Sequence, residues 1–196
     1  MGNNKSNGEN RTTDRESVLR EIALACQHDG NVHDLFSLSL GILLKHLADS
    51  GSIDLVEDDG SITRAMTRDN NGEQQEMLTN HRDGHPMPLT ASYGYPRVIK
   101  TGKSQFIPGV SERIASRLFP LPPEAELVLD GLLVRSFICV PLIARGHTLG
   151  ALTLLTTNGN RTLDSDDLLV IEEIAILIAV ALDGHAHVKI VPPPPR

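Results

Sequence analysis

Two groups of imidazoles are the first place to look for chemistry in this chain. His81, Asp83 and His85 fall close together, and His185 and His187 add a second pair near the end. Ligands of this kind suit a transition metal. The first group, however, lies in a Gly/Pro-rich stretch without ordered spacing, and alternate residues on a helix such as His185 and His187 point in different directions. Solvated surface histidines are expected, no metal site is assigned, and no histidine stands out as an axial haem ligand. Asp164, Asp166 and Asp167 offer carboxylates for calcium, but they directly precede an apolar helical pattern. There, Asp164 or Ser165 accepting hydrogen bonds from the first turn is the simpler role.

Nucleophilic chemistry finds no better footing. The chain has two cysteines, Cys26 in a predicted helix and Cys139 in an apolar predicted strand, and neither has an activating partner in the sequence. A thiol among strand apolar residues is inert packing. There is no Gly-x-Ser-x-Gly turn, phosphate-cradling glycine loop, or kinase or phosphatase motif. No catalytic residue is assigned, and the chain is expected not to be an enzyme.

Binding is what remains, and residues 136–156 show where. They form two apolar runs around Arg145-Gly146, with Phe137, Cys139, Pro141 and Ile143 on one strand face and Ile138, Val140, Leu142 and Ala144 on the other. Both faces are apolar, so both must be covered, whereas a half-solvated antiparallel strand alternates. Long helices can cover one face. The proline-broken segment 67–135 is left to cover the other, and loops with short helices over a sheet readily leave a ligand cavity. Its expected walls are Tyr93, Tyr95, Phe106, Ile107 and Phe119, with Arg97, Ser136 and Thr153 as polar contacts. The alternative is that the loops close fully over the sheet.

The elements around this hairpin follow from periodicity. Val18, Leu19, Ile22, Ala23 and Cys26 recur at helical spacing from Arg15, and Leu35, Phe36, Leu40, Leu43, Leu44 and Leu47 mark a second helix after Asp29-Gly30-Asn31. Residues 52–57 and 62–66 flank Asp58-Asp59-Gly60 as a first strand pair. Short helices are expected at 73–80, 95–100, 112–118 and 124–131, and a short strand at 105–107. The last helix carries two apolar stripes: Leu168, Ile171, Ala175, Ile178 and Leu182, and beside them Val170, Ile174, Leu177 and Ala181. One stripe covers the sheet; the second predicts either packing on the first helix or a parallel homodimer through Val170, Ile174, Leu177 and Ala181.

Pro141-Leu142, Gly146, the run from Leu149 through Gly150 to Leu154, and Asp167-Leu168 opening a long helix together resemble the C-terminal half of a GAF domain. Tyr95 through Thr101-Gly102 before Gln105, Phe106 and Ile107 adds to the likeness, which spans residues 15–188. The resemblance implies an α+β, GAF- or PAS-like fold: an antiparallel sheet of five or six strands, long terminal helices on one face, and loops plus short helices over a pocket on the other. It also implies a sensory or regulatory module of bacterial signalling, including two-component systems, that binds a small ligand or dimerises to control an output. Outputs in similar proteins include histidine kinases, serine phosphatases and diguanylate cyclases. A stand-alone interaction module is the alternative. Free methionine sulfoxide reductases share the resemblance but use several loop cysteines, and bilin-binding relatives use one; residues 67–135 contain none. The spread cyclic-nucleotide signature of other relatives is not found, and the cofactor is unknown.

Composition bounds the rest. A formal charge of −7 without a Lys/Arg cluster gives no footprint for nucleic acid. The longest apolar run, residues 174–182, is too short to insert in a membrane, and the cysteine usage suits the cytoplasm. The expected organisation is a disordered polar leader over 1–14, one domain over 15–188 and a Pro-rich tail or linker over 189–196.

Overall fold

The computed structural model describes residues 3–27, 30–70, 87, 89–118, 134–157 and 161–188; for residues 3–14, 112 and 186–188 it describes the backbone alone. The helices expected at 73–80 and 124–131, and with them His81, Asp83, His85 and Phe119, lie outside these residues.

Helix α1 (Asn3–Cys26) buries Val18 and Ile22, which its spacing singles out, and Ala25, which it does not, while Leu19, Ala23 and Cys26 are half-buried. It begins at Asn3 rather than Arg15, so the backbone of the polar leader is helical where disorder was expected. A helix that is already nucleated adds turns at small cost, even where no side chain has apolar surface to bury. Helix α2 (Val32–His46) starts at a capping box: the Asn31 side chain accepts from the Asp34 N–H at 3.0 Å, and the Asp34 carboxylate accepts from the Asn31 N–H. Its buried face is Leu35, Phe36, Leu40, Leu43 and Leu44.

Strands β1 (Ser50–Val56) and β2 (Ile62–Asp69) form the first hairpin, turning at Gly60 with φ of 81°. After helix α3 (Gly94–Thr101), strand β3 (Gln105–Ile107) and helix α4 (Glu112–Leu118), the second hairpin joins β4 (Ser136–Ala144) to β5 (His147–Thr156). Helix α5 (Ser165–Val188) follows. The five strands make one antiparallel sheet in the order β2-β1-β5-β4-β3.

Strand alternation sorts the interior into two layers. Ile53, Ile138, Val140, Leu142, Leu152 and Leu154 join α1, α2 and α5 in the larger core. Phe137, Cys139, Ala151 and Leu155 face the opposite way, beneath Val98 of α3 and Leu118 of α4. The hairpin is thus covered on both sides, as its two apolar faces require. Close approach is built in at Gly150, where a Cβ would lie 2.2 Å from the Asp54 carbonyl oxygen, so no other residue fits between β1 and β5 there.

A charge cluster locks the helical layer. The buried Asp167 carboxylate accepts from Arg15 Nε at 3.1 Å, Arg161 Nη2 at 2.9 Å and the Asp164 N–H at 3.0 Å. Asp164 in turn caps α5, accepting from the N–H groups of Asp166 and Asp167, both at 2.9 Å. These carboxylates are therefore a helix cap and an arginine clasp. At the far end of α5, His185 Nε2 lies 3.0 Å from the Gly30 carbonyl oxygen, so α1 and α5 run parallel.

Candidate ligand-binding face

The sheet face beneath α3 and α4 is where a ligand site was expected, and its polar centre comes from β1. Ser50, Ser52 and Asp54 alternate with Gly51, Ile53 and Leu55, and all three polar residues are buried. Asp54 is the unusual one, a carboxylate with a side chain only 2% exposed. An ionised group so enclosed needs a charged, hydrogen-bonded partner. An irregularity in the β1–β2 register between Ile53 and Asp54 sets Arg64 opposite it. Arg64 Nε then donates to Asp54 Oδ1 at 2.6 Å and Nη2 to Oδ2 at 3.1 Å, a side-on bidentate pair.

Aromatic residues roof this pair. The Tyr95 ring lies over the Arg64 guanidinium, 5.5 Å from centroid to Cζ, and its hydroxyl accepts from the Met87 N–H at 3.1 Å. Tyr93 holds Arg117 of α4 in the same way at 5.7 Å. Helix α3 is fixed by the Gly94 N–H donating to the Gln105 side chain at 2.7 Å and by Gly102, whose left-handed φ of 61° closes the Thr101-Gly102 turn. On the sheet floor, Thr153 donates to Cys139 Sγ at 3.3 Å. Burial pushes the Cys139 thiol up to about 12; the Thr153 hydrogen bond opposes this, Asp54 adds to the rise and Arg64 opposes it. The thiol therefore stays protonated at neutral pH, the opposite of what a nucleophile needs.

The expected site residues divide between the two faces. Tyr93, Tyr95, Ile107 and Thr153 lie together on this side, and Arg97 is half-buried on α3. Phe106 does not belong with them. Neighbouring strand residues point to opposite faces, and Phe106 packs into the helical core while Ile107 faces the lid. Ser136 is also displaced: its hydroxyl meets Thr156 and accepts the Leu163 N–H at 2.9 Å on the helical side. The dimer stripe needs the same correction. Ile174 is fully buried in its own chain, and Val170, Leu177 and Ala181 pack against that core. The exposed apolar residues of α5 are Leu169, Ile176 and Val180. His185 is not a metal ligand here, since both ring nitrogens face carbonyl oxygens, of Ala181 and Gly30. Among the described residues no group of three His, Cys, Asp or Glu side chains is placed to hold a metal.

Asp54 and Arg64, at the polar centre of this candidate face, are residues that the sequence reading did not single out. A signal was present: the polar-apolar alternation of residues 50–55 in a strand followed by a tight hairpin and an arginine.

A five-stranded antiparallel sheet with terminal helices on one side and short helices on the other defines an α+β fold. A family model described as GAF domain matches residues 30–183, and the chain belongs to the GAF domain family. Among solved structures, it resembles the GAF domain of a phosphoenolpyruvate-protein phosphotransferase from Coxiella burnetii at 19% identity and TM-score 0.63, covering 90% of this chain and 96% of that one. The corresponding Acinetobacter domain gives 13% identity and TM-score 0.65 over 90% and 98%. A free methionine-R-sulfoxide reductase from Neisseria meningitidis, in complex with its substrate, gives 15% and 0.63 over 89% and 91%. Comparison with curated proteins yields no match. Likeness at these identities establishes the fold; no helix among the described residues is long and apolar enough to cross a membrane.

Proposed function

We propose that this GAF domain is a non-catalytic sensory or regulatory module that binds a small ligand on the sheet face beneath α3 and α4 and passes the change to a signalling output. The observation that carries this reading is the Asp54–Arg64 pair, buried on a sheet face that it shares with Ser52, Thr153 and an apolar layer, and roofed by Tyr95. A buried ion pair is a poor way to stabilise a core, since apolar residues of the same volume do as well or better. Its retention beside Thr153 and the protonated Cys139 suits recognition of a polar group. Catalysis of the sulfoxide-reductase kind is disfavoured because it needs reactive thiols and this face offers one locked thiol. Thermal-shift screening with nucleotides, tetrapyrroles and metabolites tests the reading. A ligand that raises the melting temperature supports it, and flat curves for all classes oppose it.

A second reading concerns assembly, and the exposed stripe of α5 favours it. Leu169, Ile176 and Val180 are each more than half exposed and follow a seven-then-four spacing, which lays them along one seam of a helix. The occupant that fits is the same stripe of a second copy, in a parallel homodimer through the terminal helices. Helices α1 and α5 already run parallel and are of equal length, 24 residues each. Two such pairs side by side would form a bundle able to carry a shift from the sheet to an attached or bound partner.

A further inference from the structure

Arg64 offers more hydrogen-bond donors than the described residues use. Its Nε and Nη2 meet Asp54, while Nη1 is buried without a hydrogen-bond partner among the described residues. A buried donor left unsatisfied costs about 1–3 kcal/mol, so a native fold keeps one for a reason. The guanidinium is not free to turn toward another partner, because the bidentate pair fixes its plane and Tyr95 covers its face. Nη1 is therefore a preset donor. On the other side of Asp54, Ala151 stands directly opposite it in the register, and Cys139 is close enough to feel both charges.

We propose that Arg64 is the ligand-recognition residue of this face, and that the ligand is an uncharged small molecule presenting a carbonyl-type oxygen to Nη1. The proposal rests on the ligand-binding reading above and gives it a chemical class. Charge decides the class. Asp54 already balances Arg64, so an anionic ligand would bring a second negative charge beside a buried carboxylate, in a medium that screens poorly. A cation would find both Asp54 oxygens already engaged by Arg64. A neutral acceptor oxygen satisfies Nη1 without either cost.

Arginine-side-chain NMR on the full chain tests this directly. The Arg64 Nε–H signal, identified by its contacts with the Tyr95 ring, is followed while N-methylacetamide, acetate and methylammonium are added separately. The expected result is a saturable shift with N-methylacetamide, weaker binding of acetate and none of methylammonium. Followed at the backbone amides of Tyr95 and Thr153, which every variant keeps, Arg64→Lys, which leaves a charge for Asp54, should weaken N-methylacetamide binding about tenfold. The double variant Asp54→Leu with Arg64→Met removes the pair without leaving a lone charge and should abolish the shifts at those same two amides, should the single variant fail to fold. Tighter binding of acetate overturns the proposed class. Shifts at Tyr95 and Thr153 with Arg64 unmoved overturn the role of Arg64 while leaving a ligand-binding face. No shift on this face with any probe removes both.

Discussion

Asp54 and Arg64 make a claim about stability as well as recognition. Removing one partner leaves the other buried and charged, so Asp54→Ala should lower unfolding free energy by about 3 kcal/mol. Removing both, as Asp54→Leu with Arg64→Met, should change it by less than about 1 kcal/mol, because the volume is refilled with apolar atoms. Urea denaturation of the three proteins checks this; a double variant as unstable as the single one would make the pair a structural device. Cys139 adds a pH effect. Its thiol is pushed from the usual 9.0 to about 12 in the fold, so between those values the unfolded chain loses a proton that the native chain keeps. Stability from this group is therefore complete below pH 9 and falls as pH rises toward 12, by on the order of 4 kcal/mol. Cys139→Ala should flatten that alkaline decline in denaturation curves. The fate of Cys139 was legible in the sequence, since an apolar strand on both faces leaves no room for solvent. The arginine pair was legible only in part: alternation over residues 50–55 marks Asp54, but the register that sets Arg64 opposite it depends on an irregularity between Ile53 and Asp54.

At the level of elements, the two hairpins and their faces were readable because strand period and turn chemistry agree at Gly60 and at Arg145-Gly146. What failed was assigning single residues by neighbourhood. Phe106 was grouped with Ile107, and Ser136 with the pocket, although one step along a strand reverses the face. Packing of the last helix on the first was one of the two outcomes its second stripe allowed, but the Arg15–Asp167 contact that fixes it was invisible, because these residues are far apart in sequence and meet only in the fold. This contact makes a testable claim. Arg15 is largely buried and Asp167 fully so, and Arg15→Ala leaves Asp167 with Arg161 as its one charged partner among the described residues, beside the Asp164 N–H. Amide exchange along residues 15–26 should rise at least about fivefold, the equivalent of about 1 kcal/mol of local opening, while protection in β4 and β5 stays unchanged. Gly150→Ala should act on the sheet instead, since its Cβ would collide with the Asp54 carbonyl oxygen. A loss of about 1–3 kcal/mol is expected from such overpacking.

For the molecule as a whole, the fold and family were accessible from the motifs of the last third, whereas which apolar residues of α5 stay exposed was not. Both apolar stripes read from the last helix pack wholly or partly against the core of their own chain, and a third set of residues is left outside. A dimer through Leu169, Ile176 and Val180 predicts a sedimentation coefficient of a dimer at tens of micromolar and of a monomer for Ile176→Glu, with unchanged circular dichroism. A wild-type monomer under those conditions would confine the module to one chain. The central claim is that the sheet face around Arg64 holds a small molecule. Native mass spectrometry of the chain purified without denaturant tests it most directly. The account predicts a species heavier than the bare chain by the mass of one uncharged metabolite, lost in the Asp54→Leu with Arg64→Met variant. The same adduct on the double variant, at the same occupancy, would contradict it.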